Sequence, residues 1–229
     1  MTAGAGVLRS YGRRRGRALS ARQAGLWRDL LPRVAVAGTA AELANPRGLF
    51  PPSVREVWLE IGFGGGEHLL WQAEQHPKVG LLGCEPFQDG VVKVLAAIAE
   101  RGCSNIRLYA DDARSLIRHL PAASIGRAFV LFPDPWPKRR HWKRRLVSEG
   151  TLAELARVMP PGGELRIATD IADYAEWILL AVRGQGGFRW TAKATADWRE
   201  RGVDWPQTRY EAKALRAGRR CSYFRFLRS

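Results

Sequence analysis

Short apolar runs alternate with amphipathic stretches from residue 54 onward, and this alternation predicts repeated strand–helix units. The runs at 57–61, 79–84, 106–109, 125–132 and 164–168 read as buried strands, and 188–192 and 221–227 as final strands. Helical spacing occupies 67–75, 89–100, 113–119, 146–158 and 173–183 between them. In 89–100, Val91, Val92, Leu95 and Ile98 share one face, and Arg101-Gly102 closes the helix. Alternating units of this kind imply an α/β fold with a largely parallel, seven-stranded sheet and helices on both faces. Upstream, residues 20–31 predict a helix that Ser20 caps and Pro32 stops. The chain therefore divides into a basic arm and helix, 1–45, and a domain over 46–229. Residues 196–220 show little regular pattern and read as a flap.

Charge narrows the class of partner. The chain of 229 residues carries a formal net charge of +15, which favours a polyanion. No apolar run approaches a membrane span, and no lipidation motif is present. Cys84, Cys103 and Cys221 are scattered and odd in number, without metal-type spacing, so a reducing cytoplasm is the expected compartment and no metal is expected. The arginines at 9 and 13–17 sit in an acid-free lead of 28 residues. That lead is either a transit-type segment, for which it lacks serine enrichment, or an arm that orders on nucleic acid.

The first strand runs into Glu60-Ile61-Gly62-Phe63-Gly64-Gly65-Gly66. Glycines there permit a tight, Rossmann-like turn and close approach of backbone to a ligand. A dinucleotide fingerprint would need glycine where Glu67 stands, and an acid at a helix start opposes a pyrophosphate. S-adenosylmethionine has no phosphate. Glu60 suits its cationic methionine end, Glu85 its ribose hydroxyls, and Asp112 the neighbourhood of its adenine, with Gly62 and Gly64 giving backbone contact. Of the adjacent acids at 111 and 112, Asp111 is the one expected to cap the next helix.

The fourth strand exits into Pro133-Asp134-Pro135-Trp136-Pro137-Lys138-Arg139-Arg140-His141-Trp142-Lys143-Arg144-Arg145. Alternate prolines forbid helix and central strand, so this stretch is a stiff loop at the carboxyl edge of the sheet, where open α/β folds keep their ligands. Its interleaved cations and tryptophans suit RNA. Trp136, Trp142 and Tyr210 are the aromatics available to receive a splayed base.

These motifs, with Ala168-Thr169-Asp170 and Thr208-Arg209-Tyr210-Glu211, resemble the bacterial tRNA (guanine-N7)-methyltransferases, which modify guanine 46 of the tRNA variable loop. The resemblance runs through nearly the whole chain in order, and the proline loop is its most specific part. It implies a class I methyltransferase using S-adenosyl-L-methionine, held by Glu60, Gly62, Gly64, Glu85, Asp112 and Asp134, with Asp134 between cofactor and guanine as the catalytic carboxylate. It implies substrate contacts from Lys138, Asp170, Thr208, Arg209, Tyr210 and Glu211. Arg140, His141, Trp142, Lys143, Arg144 and Arg145 would hold the RNA. The expected partner is tRNA, with no membrane and no obligate protein partner, the chain acting as monomer or homodimer. The rival expectations are a methyltransferase on another RNA and a non-catalytic RNA-binding protein of the same fold.

Overall fold

A computed structural model describes residues 11–229. Its seven strands, β1 (Glu56–Ile61), β2 (Val79–Cys84), β3 (Ile106–Tyr109), β4 (Arg127–Leu131), β5 (Glu164–Thr169), β6 (Phe188–Trp190) and β7 (Ser222–Arg228), form one sheet ordered β3-β2-β1-β4-β5-β7-β6. The first five are parallel, and β7 runs antiparallel to both of its neighbours. Strand order reverses direction between β1 and β4, which opens a crevice at their carboxyl ends.

Side-chain alternation along β1 divides the core between the two faces of the sheet. Val57, Leu59 and Ile61 pack with the helices Ala113–His119, Glu149–Val158 and Ala172–Gln185. Trp58 packs with Glu67–Gln75 and Gln88–Arg101 on the other face, where Leu26, Trp27, Leu30 and Leu31 from the upstream helix also dock. That helix, Ala21–Asp29, is capped by Ser20, whose hydroxyl accepts from the Gln23 N–H while the Gln23 side chain accepts from Ser20 N–H. Beyond it, Val36 donates to the Leu108 carbonyl, so the upstream segment also touches the edge of β3.

Three local expectations need correction. The helix after the proline loop begins at Glu149 rather than 146, because Ser148 caps it and the Val147 N–H is taken by the Tyr174 hydroxyl. The cap of Ala113–His119 is Asp112, not Asp111: its carboxylate accepts from the Arg114 N–H at 3.0 Å. The segment 196–220 contains two helices, Ala196–Arg199 and Arg209–Arg216. Thr208 caps the second by accepting from the Glu211 N–H, and Asp204 anchors the preceding turn to buried Arg166.

Candidate active site

The carboxyl ends of β1, β2, β3 and β4 open onto a cavity of about 400 Å³, within the range of small-ligand sites. Ile61, Gly62 and Gly64 form one side, Glu85 and Phe87 a second, Asp112 to Arg114 a third, and Leu131 to Asp134 a fourth. Tyr11, Trp136, Arg144 and Tyr210 complete the lining from outside the sheet. The sequence therefore directs Gly62, Gly64, Glu85, Asp112 and Asp134 to one place.

Each of these is fixed by a local cause. Gly62, Gly64 and Gly66 all have positive φ, which only glycine adopts without strain. Glu85 braces the turn they form: one carboxylate oxygen accepts from the Gly64 N–H at 2.8 Å and the other from the Phe87 N–H at 3.0 Å. Burial raises the Glu85 pKa, with Asp134 adding to the rise, while the two backbone donors and Arg209 oppose it. A carboxylate accepts about four hydrogen bonds, so Glu85 keeps acceptor capacity for a ligand. Burial works the same way on Asp112, but the side chain and N–H of Arg114 outweigh it and leave its pKa lowered. Asp134 faces the cavity from between two prolines, and desolvation alone raises its pKa.

Glu60 is not part of the lining. The alternation that points Ile61 into the cavity turns Glu60 beneath Glu67–Gln75, where it is 2% exposed and bonded to His68 Nδ1 at 2.7 Å. His68 Nε2 meets Gln72, which donates to the Asp204 carbonyl. The pair thus ties β1 to the segment after Ala196–Arg199.

The proline loop departs from β4 through Phe132 and turns again at Trp136, both at positive φ and neither glycine. Trp136 also precedes proline, which disfavours helical φ/ψ for it; strained backbone of this kind concentrates at functional sites. Residues Arg139–Arg144 then form a 3₁₀ helix, where an extended loop was expected. Lys138, which precedes it, and Arg139, Arg140 and Lys143 within it are exposed. His141 has its pKa lowered by desolvation and then by Arg144, Arg140, Lys138 and Lys143.

Two members of the expected RNA-binding run face inward. Arg145 is 2% exposed; its guanidinium donates to the Pro135 carbonyl, pairs with Asp173 and lies over the rings of Trp142, Tyr174 and Trp177. It holds the loop closed and has no face for phosphate. Trp142 packs edge-on against Trp177, between Arg139 and Arg145.

The expected substrate residues separate. Tyr210 is half-exposed and packs on the glycine turn, its ring 3.0 Å from where a side-chain carbon on Gly64 would stand. Arg209 lies over the Tyr210 ring and pairs with Glu67 at 3.6 Å. Thr208 and Glu211 are buried: Thr208 is a cap, and Glu211 accepts from the Tyr223 hydroxyl at 2.7 Å and pairs with Arg201. Neither is available to a substrate in this conformation. Asp170 pairs with Arg219 at 2.6 Å in a separate depression after β5, and Lys138 stands clear of the cavity.

Sequence reasoning missed two contributors. Gly90 lies in Gln88–Arg101, and a side-chain carbon there would meet the Gly64 carbonyl oxygen at 2.3 Å; a glycine inside a helical pattern was its signal. Tyr11 lines the cavity from the arm, and the neighbouring Arg14 pairs with Asp111 while its carbonyl accepts from the Gln88 N–H. This part of the arm therefore packs against the domain; Arg9 lies outside the described residues.

Residues 54–223 match the model of a family described as putative methyltransferase. The tRNA (guanine-N(7)-)-methyltransferase of Rhodospirillum rubrum is 51% identical over 223 residues, covering 96% of this chain and 88% of that protein. That of Nitrobacter hamburgensis is 48% identical over 218 residues, covering 95% and 86%. Among solved structures, the 16S rRNA methyltransferase KamB superposes with a TM-score of 0.57 at 17% identity, covering 83% of this chain and 94% of that one. An antibiotic-related methyltransferase gives 0.55 at 18%, covering 82% and 92%.

Proposed function

The chain belongs to the tRNA (guanine-N7)-methyltransferase family, and from that premise we propose that it methylates N7 of guanine in the variable loop of tRNA. The observation that supports this most is the convergence of Glu85, Asp112 and Asp134 on one cavity with the basic proline loop at its mouth.

The lining suits S-adenosyl-L-methionine. Ile61, Phe87, Ala113 and Leu131 offer apolar walls for adenine, while the carboxylates offer acceptors for hydroxyl and ammonium groups. When bound, this cofactor presents a methyl group on a positively charged sulfur. Glu85 holds the glycine turn and keeps acceptors free for ribose. Asp112 fixes the start of its helix on the third side, and Gly62 and Gly64 let the backbone approach closely. Glu60 supports the floor through His68 rather than touching the ligand.

Guanine N7 carries a lone pair and no proton, so the chain need not supply a strong base. Asp134 accepts hydrogen bonds from the guanine edge and stabilises positive charge as it grows on the ring. Its prolines restrict the backbone that carries it, which favours alignment over proton transfer. Lys138, Arg140 and Lys143 meet the RNA backbone, and Arg209 and Tyr210 flank the base from the glycine-turn side. His141 lies among these cations, where phosphate would restore its charge. Asp170 and Arg219 extend the surface toward the rest of the tRNA. Residues 46–229 form the methyltransferase domain and 1–45 its arm and helix. The chain works in the cytoplasm, as monomer or homodimer, without an obligate protein partner.

Purified chain incubated with tRNA and methyl-labelled S-adenosylmethionine should label the tRNA, and chemical cleavage at N7-methylguanine should cut within the variable loop. Label at another nucleotide, or none, would refute the proposal.

A further inference from the structure

Three features meet at the mouth of the cavity. Tyr11 from the arm and Trp136 from the proline loop stand edge to face, ring centroids 6.3 Å apart at 72°. The guanidinium carbon of Arg144 lies 4.7 Å from the Tyr11 centroid and 5.1 Å from that of Trp136. Among the described residues Arg144 pairs with no carboxylate, and its buried Nε has no hydrogen-bond partner. An arginine beside a basic RNA surface ordinarily points its donors at water or phosphate; this one rests its planar cation on two rings. All three residues line the same cavity as Asp134.

We propose that Tyr11 and Trp136 form an aromatic corner for planar, delocalised cations, that Arg144 occupies it while no RNA is bound, and that its ligand is the N7-alkylated purine. The inference rests on the methyl-transfer reading above. As N7's lone pair forms the bond to the methyl carbon, the old bonding pair stays with sulfur and no proton leaves. The positive charge therefore moves onto the purine ring, which becomes a flat cation like guanidinium. Aromatic faces attract such a cation more than the neutral base, so the corner favours the charge distribution of the transition state and product. Entry of the base displaces Arg144, whose donors then reach the phosphates at the rim. Base insertion and backbone grip are thereby one event. Of the three aromatics Trp136, Trp142 and Tyr210, Trp142 is packed between Arg139 and Arg145, and Tyr210 lies against the glycine turn. Trp136 is the one paired with a second ring beside an unpartnered cation.

Calorimetric titration with N7-methylguanosine 5′-monophosphate and with guanosine 5′-monophosphate, each in saturating S-adenosylhomocysteine, tests this. The wild-type chain should prefer the methylated nucleotide by about five- to tenfold. Tyr11→Leu and Trp136→Leu should lose that preference, and Trp136→Phe should keep most of it. Arg144→Ala should bind the methylated nucleotide more tightly than wild type and tRNA more weakly. Equal affinity for the two nucleotides in both wild type and Arg144→Ala, or no measurable binding of the methylated nucleotide to Arg144→Ala, would overturn the proposal; so would weaker binding to Arg144→Ala than to wild type. The labelled-tRNA assay on wild type separates the two readings: methylation without the preference sinks only the corner, and the preference without methylation sinks the assigned reaction.

Discussion

Asp134, the carboxylate proposed to face the reacting base, is partly desolvated at the rim of the cavity. Desolvation holds its pKa above the ordinary carboxylate range, so the folded chain keeps this proton at pH values where the unfolded chain has lost it. Stability from this group is therefore present at low pH and lost as pH rises toward the raised pKa. At neutral pH the ionised carboxylate costs the fold a small, solvent-screened amount of stability. Asp134→Asn should raise the melting temperature at pH 7.5, read by calorimetry, only slightly, because solvent reaches the side chain, while lowering turnover on saturating tRNA by roughly a hundredfold or more. A variant with near wild-type turnover would remove Asp134 from the reaction. In the wild type the acid limb of the rate profile should fall above the usual aspartate range, with Glu85, also raised, contributing to it. Arg145 makes the opposite case. It was expected to grip phosphate, but its contacts with Pro135, Asp173 and three aromatic rings are internal. Arg145→Leu should lower stability by about 2 kcal/mol in denaturant titration, with tRNA affinity falling only as the loop loosens.

At the scale of elements, the glycine turn and the helix Gln88–Arg101 are in direct backbone contact, with Gly90 as the point of closest approach. Gly90→Ala should displace the Gly64 carbonyl and weaken S-adenosylhomocysteine binding by tenfold or more in a calorimetric titration, with a much smaller effect on tRNA affinity. The parallel strands and their helices were legible because burial on both faces writes continuous apolar runs and amphipathic spacing into the sequence. That the glycine turn and the acids at 85, 112 and 134 line one cavity was legible because the loops at the carboxyl ends of parallel strands meet there. Period-two alternation along β1 turns Glu60 away from the cavity and toward His68, so its position at the strand end does not by itself place it at the ligand. The helix Arg209–Arg216 was missed although Thr208-Arg209-Tyr210-Glu211 has the spacing of a capping box, S/T-x-x-E. Burial of Arg145 could not be read at all: nothing local distinguishes it from Arg144, and only the tertiary placement of Tyr174 and Trp177 makes its pocket.

For the whole molecule, the net charge of +15 acts at long range, and the rim cations are proposed to act at contact with RNA. Arg140→Ala with Lys143→Ala should reduce the slope of log affinity against log salt by about 1.5, measured by filter binding across salt concentrations, because each lost phosphate contact releases fewer counterions. An unchanged slope would move the RNA off this loop. The sheet carries a different consequence. Strand β7 follows β6 along the chain yet lies between β5 and β6, and among the described residues those are its partners in the sheet. During synthesis β6 leaves the ribosome before the strand it must pair with, and β5 waits with an open edge. That side of the domain cannot close until β7 has emerged, so an open strand edge persists on the nascent chain after β1 to β4, which line the cavity, have had time to assemble.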